Sequence, residues 1–502
     1  MTLARWHPPR LTSGRTRDQR VVDWLELFYD LVYVAALIQL GQSLVRDLSL
    51  AGIGRFVVLF TLLWWAWTGT MFLMNRIAVD DLAHRALMIG QMLAIGALAV
   101  LVDDAFGDQS AAFALAYFFI RLSLVLMYAR VWRRIPQARP LAQSFLVFNG
   151  ISTALWLLSV AVPAPGRFWL WGVAFLIDVS WIAAPKIRKQ VAGVYPPDLV
   201  HMTERFALFT LIVLGESIIK IIGSLADQDV GAATLIHGSL AFVIVVALWW
   251  TYFDDVADSP IVESEAPLTA MWTFLHLPLT MGLTATGVAL SVLVLAAISQ
   301  QIAASDAWLL IGALVVALGA VIGLDAITHS RHFGVGSQQR IGPRIIAIGL
   351  LILVGVASQA LTTTSFLALV AIVIIGQIAV EVLIARRADR AMRVEVDDVL
   401  RSALAETPCD HLADLSEIRA ETAGCVACSE NGLVWVHLRH CTVCGQVGCC
   451  DDSQGRHAAE HFLSSGHATM RSMEHGEDWA WCYADRVGVE SASSYHRHEG
   501  GV

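Results

Sequence analysis

The chain has 502 residues, 56% of them hydrophobic and only 15% charged, against roughly a quarter charged in ordinary soluble domains, and its mean hydropathy is +0.62. Those values exclude a disordered chain and most soluble enzymes. All eight cysteines lie between Cys409 and Cys482; the residues before about position 400 carry 27 basic and 28 acidic side chains, while the remainder carries 7 and 15 with nine of the sixteen histidines, so −8 of the net charge of −9 belongs to the tail.

A membrane crossing needs about 20 mostly apolar residues, and twelve such stretches are centred near residues 34, 65, 94, 120, 151, 176, 214, 243, 285, 317, 352 and 376. Lipid offers the backbone no hydrogen-bond partners, so these stretches must be helices. The expected fold is an all-α polytopic membrane bundle of about 12 transmembrane helices. The stretch near 285 is long enough to tilt or break at Pro278, Gly282 or Gly287. Counted on alternate sides, Lys and Arg sort 22 to 3, which places both termini in the cytoplasm and supports an even helix count. The first stretch bears acids and lacks a clear small-residue cleavage site, so it is expected to be retained.

Five segments follow: a basic N-terminal tail (1–22), the transmembrane region (23–387), a juxtamembrane linker (388–408), a cysteine-rich module (409–487) and a polar tail (488–502). Around the start of the linker, Arg386, Arg387, Arg390 and Arg393 suit anionic headgroups, and Pro408 ends the helical spacing set by Leu400 and Leu404.

Charges inside the spans are costly, about 2.5–3.5 kcal/mol each at mid-bilayer on the insertion scale. Glu26 and Asp30 sit four apart, on one helix face. Arg121, Asp178, Glu216 with Lys220, His276, Asp325 and Glu381 lie in later spans. Taken singly, each reads as a paired charge that fixes packing; taken together, they suggest a polar pathway or binding cavity. Helices one and seven both begin Glu-x-Phe, at Glu26 and Glu204. As an internal repeat, this echo would make Glu26, Asp30, Glu204, Arg205 and Glu216 symmetry-related around one site. Otherwise Glu204 and Arg205 cap the cytoplasmic end of helix seven.

The stretch Asp23 to Val34, DWLELFYDLVYV, resembles the opening signature of the bacterial low temperature requirement A (LtrA) family. Asn75-Arg76, Asp80-Asp81, His84-Arg85, Glu204-Arg205-Phe206, Leu214 to Ser217, Leu248 to Phe253 and His276-Leu277-Pro278 follow in that family's order. The resemblance covers roughly residues 20 to 390. It implies a polytopic bacterial inner-membrane protein linked by name to growth at low temperature, without an established substrate or reaction.

In the tail, Cys409-x-His411, Cys425-x2-Cys428, Cys441-x2-Cys444, Cys449-Cys450, His457-x3-His461, His467 and Cys482 form a zinc-ligand pattern, because a tetrahedral ion takes two thiolates from one turn and two ligands from elsewhere. In a reducing cytoplasm, metal binding is preferred to disulfides. The module resembles the ubiquitin-carboxyl-terminal-hydrolase type (UBP-type) zinc finger, which implies a small α+β domain. By that resemblance one zinc takes Cys425, Cys428, Cys449 and His457, a second takes Cys441, Cys444, His461 and His467, and a third takes Cys409, His411 and Cys482. The family's fourth cysteine at the third site is Asp485 here, itself a legitimate ligand type. Cys449 and Cys450 each satisfy one spacing, and only one is needed.

Four-ligand shells leave no position for an activated water, so up to three structural zinc ions and no enzyme activity are expected. Glu474 and Glu477 read as solvated surface. Trp435 and Trp481 are candidate peptide-binding residues. Where the family places an Arg-Tyr pair that holds a chain-end carboxylate, this chain has Asp451-Asp452, so ubiquitin is disfavoured against a bacterial peptide or a self-contact with the membrane domain. Nucleic acid is disfavoured by the acidic surface. Two functions then compete: a transporter or channel using the intramembrane acids, and a membrane-anchored sensor or scaffold whose zinc finger binds a peptide or protein chain end. No nucleotide-binding glycine loop, nucleophile elbow or membrane metal motif supports a membrane enzyme.

Overall fold

The computed structural model describes residues 7–11, 24–180, 197–226, 231–254, 266–297, 299–328, 337–406, 409–413, 415, 418–474 and 477–490. It divides into two compact units, Met1–Asp389 and Arg390–Val502.

The first unit is helical. Its helices are α1 (Trp24–Arg46), α2 (Leu50–Arg76), α3 (Leu82–Leu101), α4 (Ser110–Arg134), α5 (Arg139–Ala161), α6 (Gly166–Ser180), α7 (Leu199–Ala226), α8 (Ala232–Phe253), α9 (Ala266–Leu293), α10 (Ala304–Ile327), α11 (Ser337–Ala357) and α12 (Thr363–Glu406). They fall on the twelve apolar stretches in order. Eleven of them are long and apolar enough to cross a membrane; α6 is described over 15 residues. No break occurs in α9, which runs unbroken through Pro278 for 28 residues. The segment expected to be a linker is the continuation of α12, a helix of 44 residues. Within the expected N-terminal tail, strand β1 (His7–Leu11) pairs antiparallel with β2 (Ile77–Asp80).

The interior of this unit is apolar, as in a soluble protein, but its outer surface is apolar as well. Leu93, Leu176, Ile219 and Ile372 are largely exposed while Arg121, Asp178 and Arg205 are buried, as expected of a bundle whose outer solvent is hydrocarbon. Helix α1 touches α2, α3, α7 and α9, and α9 packs closely on α7 and α10. Small residues permit that approach. A Cβ added at Gly282 would lie 2.8 Å from both the Ala313 carbonyl oxygen and the Ala317 nitrogen of α10, and one added at Gly287 would strike Ser217 of α7. Because the obstacle at Gly282 is backbone, Gly282→Val is expected to destabilise the solubilised protein by about 1–3 kcal/mol or more. Scanning fluorimetry would show a lowered Tm, and an unchanged Tm would refute the packing argument.

Polar residues fix the helix ends. Ser49 accepts the Gly52 N–H at 3.1 Å and Asp81 accepts the His84 N–H at 2.8 Å, each supplying an acceptor to an otherwise orphan first-turn donor. Asn75, at the end of α2, exchanges two hydrogen bonds of 2.8 and 2.9 Å with the Asp198 backbone just before α7.

The second unit contains a five-stranded antiparallel sheet in the order β4-β3-β5-β6-β7. Its strands are β3 (Leu438–Cys441), β4 (Val447–Cys449), β5 (Thr469–Ser472), β6 (Trp479–Cys482) and β7 (Val487–Glu490), accompanied by the short helices α13 (Asp410–Ala413), α14 (Val426–Glu430) and α15 (His457–Ser465). Its buried clusters are small and built around the cysteines, one joining Cys409 and Cys482 to Leu412, Leu415, Ala480 and Val489. A core of that size leaves much of the folding free energy to another source.

Candidate functional site

Glu26 and Asp30 of α1 turn one face toward α7 (Leu199–Ala226), where Arg205 receives both. Its Nη1 donates to Glu26 Oε2 at 3.0 Å and its Nη2 to Asp30 Oδ1 at 2.7 Å. Trp67 of α2 donates its indole N–H to the same Asp30 oxygen at 2.7 Å, and His201 Nε2 lies 3.3 Å from Glu26 Oε2. All four charged or titratable side chains are buried. The other Asp30 oxygen, Oδ2, has no hydrogen-bond partner among the described residues.

The remaining charges do not join this group. Arg121 of α4 pairs with Asp178 of α6 at 2.6 Å and with Asn149 of α5, beside a cavity of about 20 Å³ that these residues line with Thr68. That space suffices for about one water. Glu216 pairs with Lys220 on α7. Lys220 also fills the space over Gly41 of α1, where a Cβ would meet its ammonium group. Farther along the chain, Arg344 of α11 joins Glu381 of α12 at 2.7 Å and Asp325 of α10 at 3.7 Å. His276 of α9 accepts from the Tyr252 hydroxyl at 3.0 Å and donates from Nδ1 to the Trp272 carbonyl at 2.9 Å, a pairing that sets its tautomer.

Two expectations are corrected here. Glu204 is exposed while the adjacent Arg205 is buried, because neighbouring helix residues point about 100° apart and only one can face inward. Glu216 lies eleven residues along α7 from Arg205, about 16 Å of helix, and has its own cation. The repeat also fails at its signature: Glu26 is buried and Phe28 exposed, whereas Glu204 is exposed and Phe206 buried. His201, Trp67, Asn149 and Arg344 were missed. His201 carried a readable signal, lying one turn before Arg205 on the same face.

In the second unit, the structure gathers the expected donors into three groups whose ligand atoms all lie within 4.8 Å of one another: Cys425, Cys428, Cys449 and His457; Cys441, Cys444, His461 and His467; and Cys409, His411, Cys482 and Asp485. His457 Nδ1 lies 3.3, 3.2 and 3.4 Å from the sulfurs of Cys425, Cys428 and Cys449. His461 Nε2 lies 3.4 Å from Cys444 Sγ and 3.3 Å from His467 Nδ1. Such spacings match the edges of a tetrahedron, about 3.3–3.8 Å when built on zinc bonds of about 2.0 Å to nitrogen and about 2.3 Å to sulfur. At the third group, Asp485 Oδ2 lies 2.8 Å from His411 Nδ1, 3.0 Å from Cys409 Sγ and 3.5 Å from Cys482 Sγ. The donor chemistry and its convergence fit zinc.

Backbone geometry supports these groups. The N–H groups of Val443, His457 and Asp485 point at the sulfurs of Cys441, Cys449 and Cys482 at 3.4, 3.3 and 3.4 Å. Gly445 closes the Cys441 turn at φ +85°, where a Cβ would also meet the Arg419 carbonyl at 2.6 Å. Cys450 turns to Ser453 Oγ at 3.3 Å instead of joining a group. Glu477 is exposed and Glu474 half-buried, and both also anchor the sheet: Glu474 accepts the Leu438 N–H at 2.9 Å, and Glu477 accepts from Ser472 and Trp479 at 2.6 and 2.8 Å. Trp435 covers Gly424 and Trp481 covers Gly488, and no contact joins the two tryptophans among the described residues.

Fold and donor groups together define a multi-pass membrane protein carrying a zinc-finger module. The model of the bacterial low temperature requirement A protein (LtrA) family matches residues 21–378, and the chain belongs to that family. The model described as the Zn-finger in ubiquitin-hydrolases and other protein matches residues 425–494. The chain is 32% identical over 307 residues to the uncharacterized protein RA0937 of Rhizobium meliloti (strain 1021), a match covering 57% of this chain and 73% of that one. It is also similar to the solution NMR structure of protein RPA1320 from Rhodopseudomonas palustris, at 38% identity, 19% of this chain, 94% of that one and a TM-score of 0.17.

Proposed function

We propose that the membrane unit is a transporter or channel whose working site is the Glu26, Asp30, His201 and Arg205 group. One observation carries this reading: two carboxylates of α1 share a single buried arginine of α7, and Asp30 keeps an oxygen without a partner among the described residues. Ionisable residues inside a membrane region mark ion or proton pathways by default. The protein would sit in the bacterial inner membrane with both termini cytoplasmic, on a sorting of basic residues that stays strongly one-sided when the buried Arg205 and Arg344 are left out of the count. In reconstituted vesicles, Asp30→Asn or Glu26→Gln should lower flux about tenfold or more, equivalent to about 1.4 kcal/mol on a barrier, in a protein that remains folded because Arg205 keeps its second acid. No flux for any solute or proton gradient tried, or collapse of the fold with each substitution, would overturn the reading.

The tail would hold three zinc ions in the groups described above, with closed shells and a structural, non-catalytic role. A second reading, a sensor or scaffold whose zinc finger docks a peptide, is favoured by the exposed run Val434 to Val436. An anionic chain end such as that of ubiquitin is a poor candidate. Asp451 stands where the UBP-type family has its carboxylate-holding pair and is held by the Tyr483 hydroxyl at 3.1 Å and Arg439 at 3.5 Å, so a negative charge is fixed at that place. Removing residues 405–502 should then strip a co-purifying partner from a membrane unit that remains folded, and an unaltered co-purification profile would count against docking.

A further inference from the structure

The helix ends opposite the N-terminus enclose a cavity of about 340 Å³ between the end of α1, the start of α2 and the turn after α3. That volume lies at the small end of the range for ligand pockets, about 300–1,000 Å³. Leu44 and Phe56 form an apolar floor, and Arg46, Arg55, Asp47 and Asp103 also line the cavity. Arg46 pairs with Asp103 and Arg55 with Asp47, and all four side chains are 38–58% exposed. Asp104, a third acid in the wall, is committed to the Gln109 backbone N–H at 2.8 Å.

Basic residues are scarce on this side of the bundle, which carries three by the alternate count, Arg46, Arg55 and Arg167. Arg167 is buried and spends its guanidinium on Ser110 and on the Ser159 and Val160 carbonyls. The other two both line one cavity. Arginine is disfavoured on a translocated side, so this placement points to a ligand rather than to general surface charge. A simple anion would face the carboxylates and a simple cation the guanidinia. A zwitterion meets both, because half-exposed Arg–Asp pairs are weak and can exchange partners with it. The apolar floor accommodates the carbon skeleton between its charges.

We propose that this cavity binds a zwitterion carrying a phosphate and a primary ammonium, the phosphate on Arg46 and Arg55 and the ammonium on Asp47 and Asp103. The source is either a free solute or an ethanolamine phospholipid headgroup, since these helix ends lie where the interfacial zone of a bilayer falls. The site is separate from the Arg205 group: Glu26 and Arg46 stand about 30 Å apart along α1.

Calorimetry on the purified full-length protein tests this with phosphoethanolamine, inorganic phosphate, ethanolamine and dihexanoyl phosphatidylethanolamine. Phosphoethanolamine is expected to bind about tenfold or more tighter than inorganic phosphate or ethanolamine, and Arg55→Gln or Asp103→Asn to weaken it about tenfold. The comparison among probes on the native chain stands even where a variant fails to fold. Tighter binding of the short-chain lipid than of phosphoethanolamine identifies a lipid source, and equal binding identifies a free zwitterion. No binding of either zwitterion, equal binding of inorganic phosphate, or undiminished binding by both variants overturns the proposal.

Discussion

Stripping the metal with a strong chelator is expected to unfold the cysteine-rich unit while leaving the membrane unit intact. The buried clusters of that unit are built on the cysteines themselves, so without an ion they become polarisable groups with little apolar mass around them. A structural zinc supplies about 10–16 kcal/mol of apparent binding free energy, far more than clusters of this size can provide. Metal analysis of the full-length protein should give three zinc ions per chain. After chelation, limited proteolysis should digest residues beyond about 410, and zinc should restore protection. Protection that survives complete metal removal would refute the dependence.

The three groups should not release metal together. His411 and Asp485 are 50% and 44% exposed, whereas Cys425, Cys428 and Cys449 are fully buried, so the Asp485 group should empty first. Asp485→Ala is expected to lower the stoichiometry to two. Acid acts in the same direction. In the metal-free chain, burial pushes the Cys409 and Cys428 thiols up to about 12, so each binds a proton at neutral pH that zinc must displace. Metal affinity therefore falls as pH falls, and the stability conferred by metal falls with it. A stoichiometry that stays at three in Asp485→Ala would remove Asp485 from the ligand set.

The positions of the helices were legible in the sequence because a run of about 20 apolar residues is a strong local signal. The partners were not. Asp30 meets Arg205 across 175 residues and Arg121 meets Asp178 across 57; helical periodicity tells which face a residue occupies but not which helix covers it. Arg344 illustrates the cost: it is fully buried between Asp325 of α10 and Glu381 of α12, acids on two other helices. In the zinc unit the ligand types and turns were readable because CxxC spacing is itself local. The choice between Cys449 and Cys450 was not, since both fit by counting. Strand alternation decides it: successive side chains point to opposite faces, so with Cys449 facing His457 at the end of β4, Cys450 faces Ser453. Asp485 was found only through the family resemblance, at the position three residues after Cys482 where that family carries a cysteine.

Arg121 and Asp178 provide the sharpest test of whether the buried charges hold the bundle together. Both are nearly inaccessible, and Asn149 supplies Arg121 with a further acceptor. Arg121→Leu leaves the Asp178 carboxylate without its cation in a medium of low polarity. Removing one partner of such a pair costs about 3–5 kcal/mol, whereas replacing both with apolar residues of similar volume is often neutral or stabilising. The single variants Arg121→Leu and Asp178→Leu should each lower the Tm of the solubilised protein sharply, and the double variant should recover most of the loss. The same cycle separates structure from transport. If the pair only fixes packing among α4, α5 and α6, the recovered double variant keeps the flux that Asp30→Asn loses. A double variant that folds yet carries no flux would move Arg121 and Asp178 from the frame of the bundle into its working path.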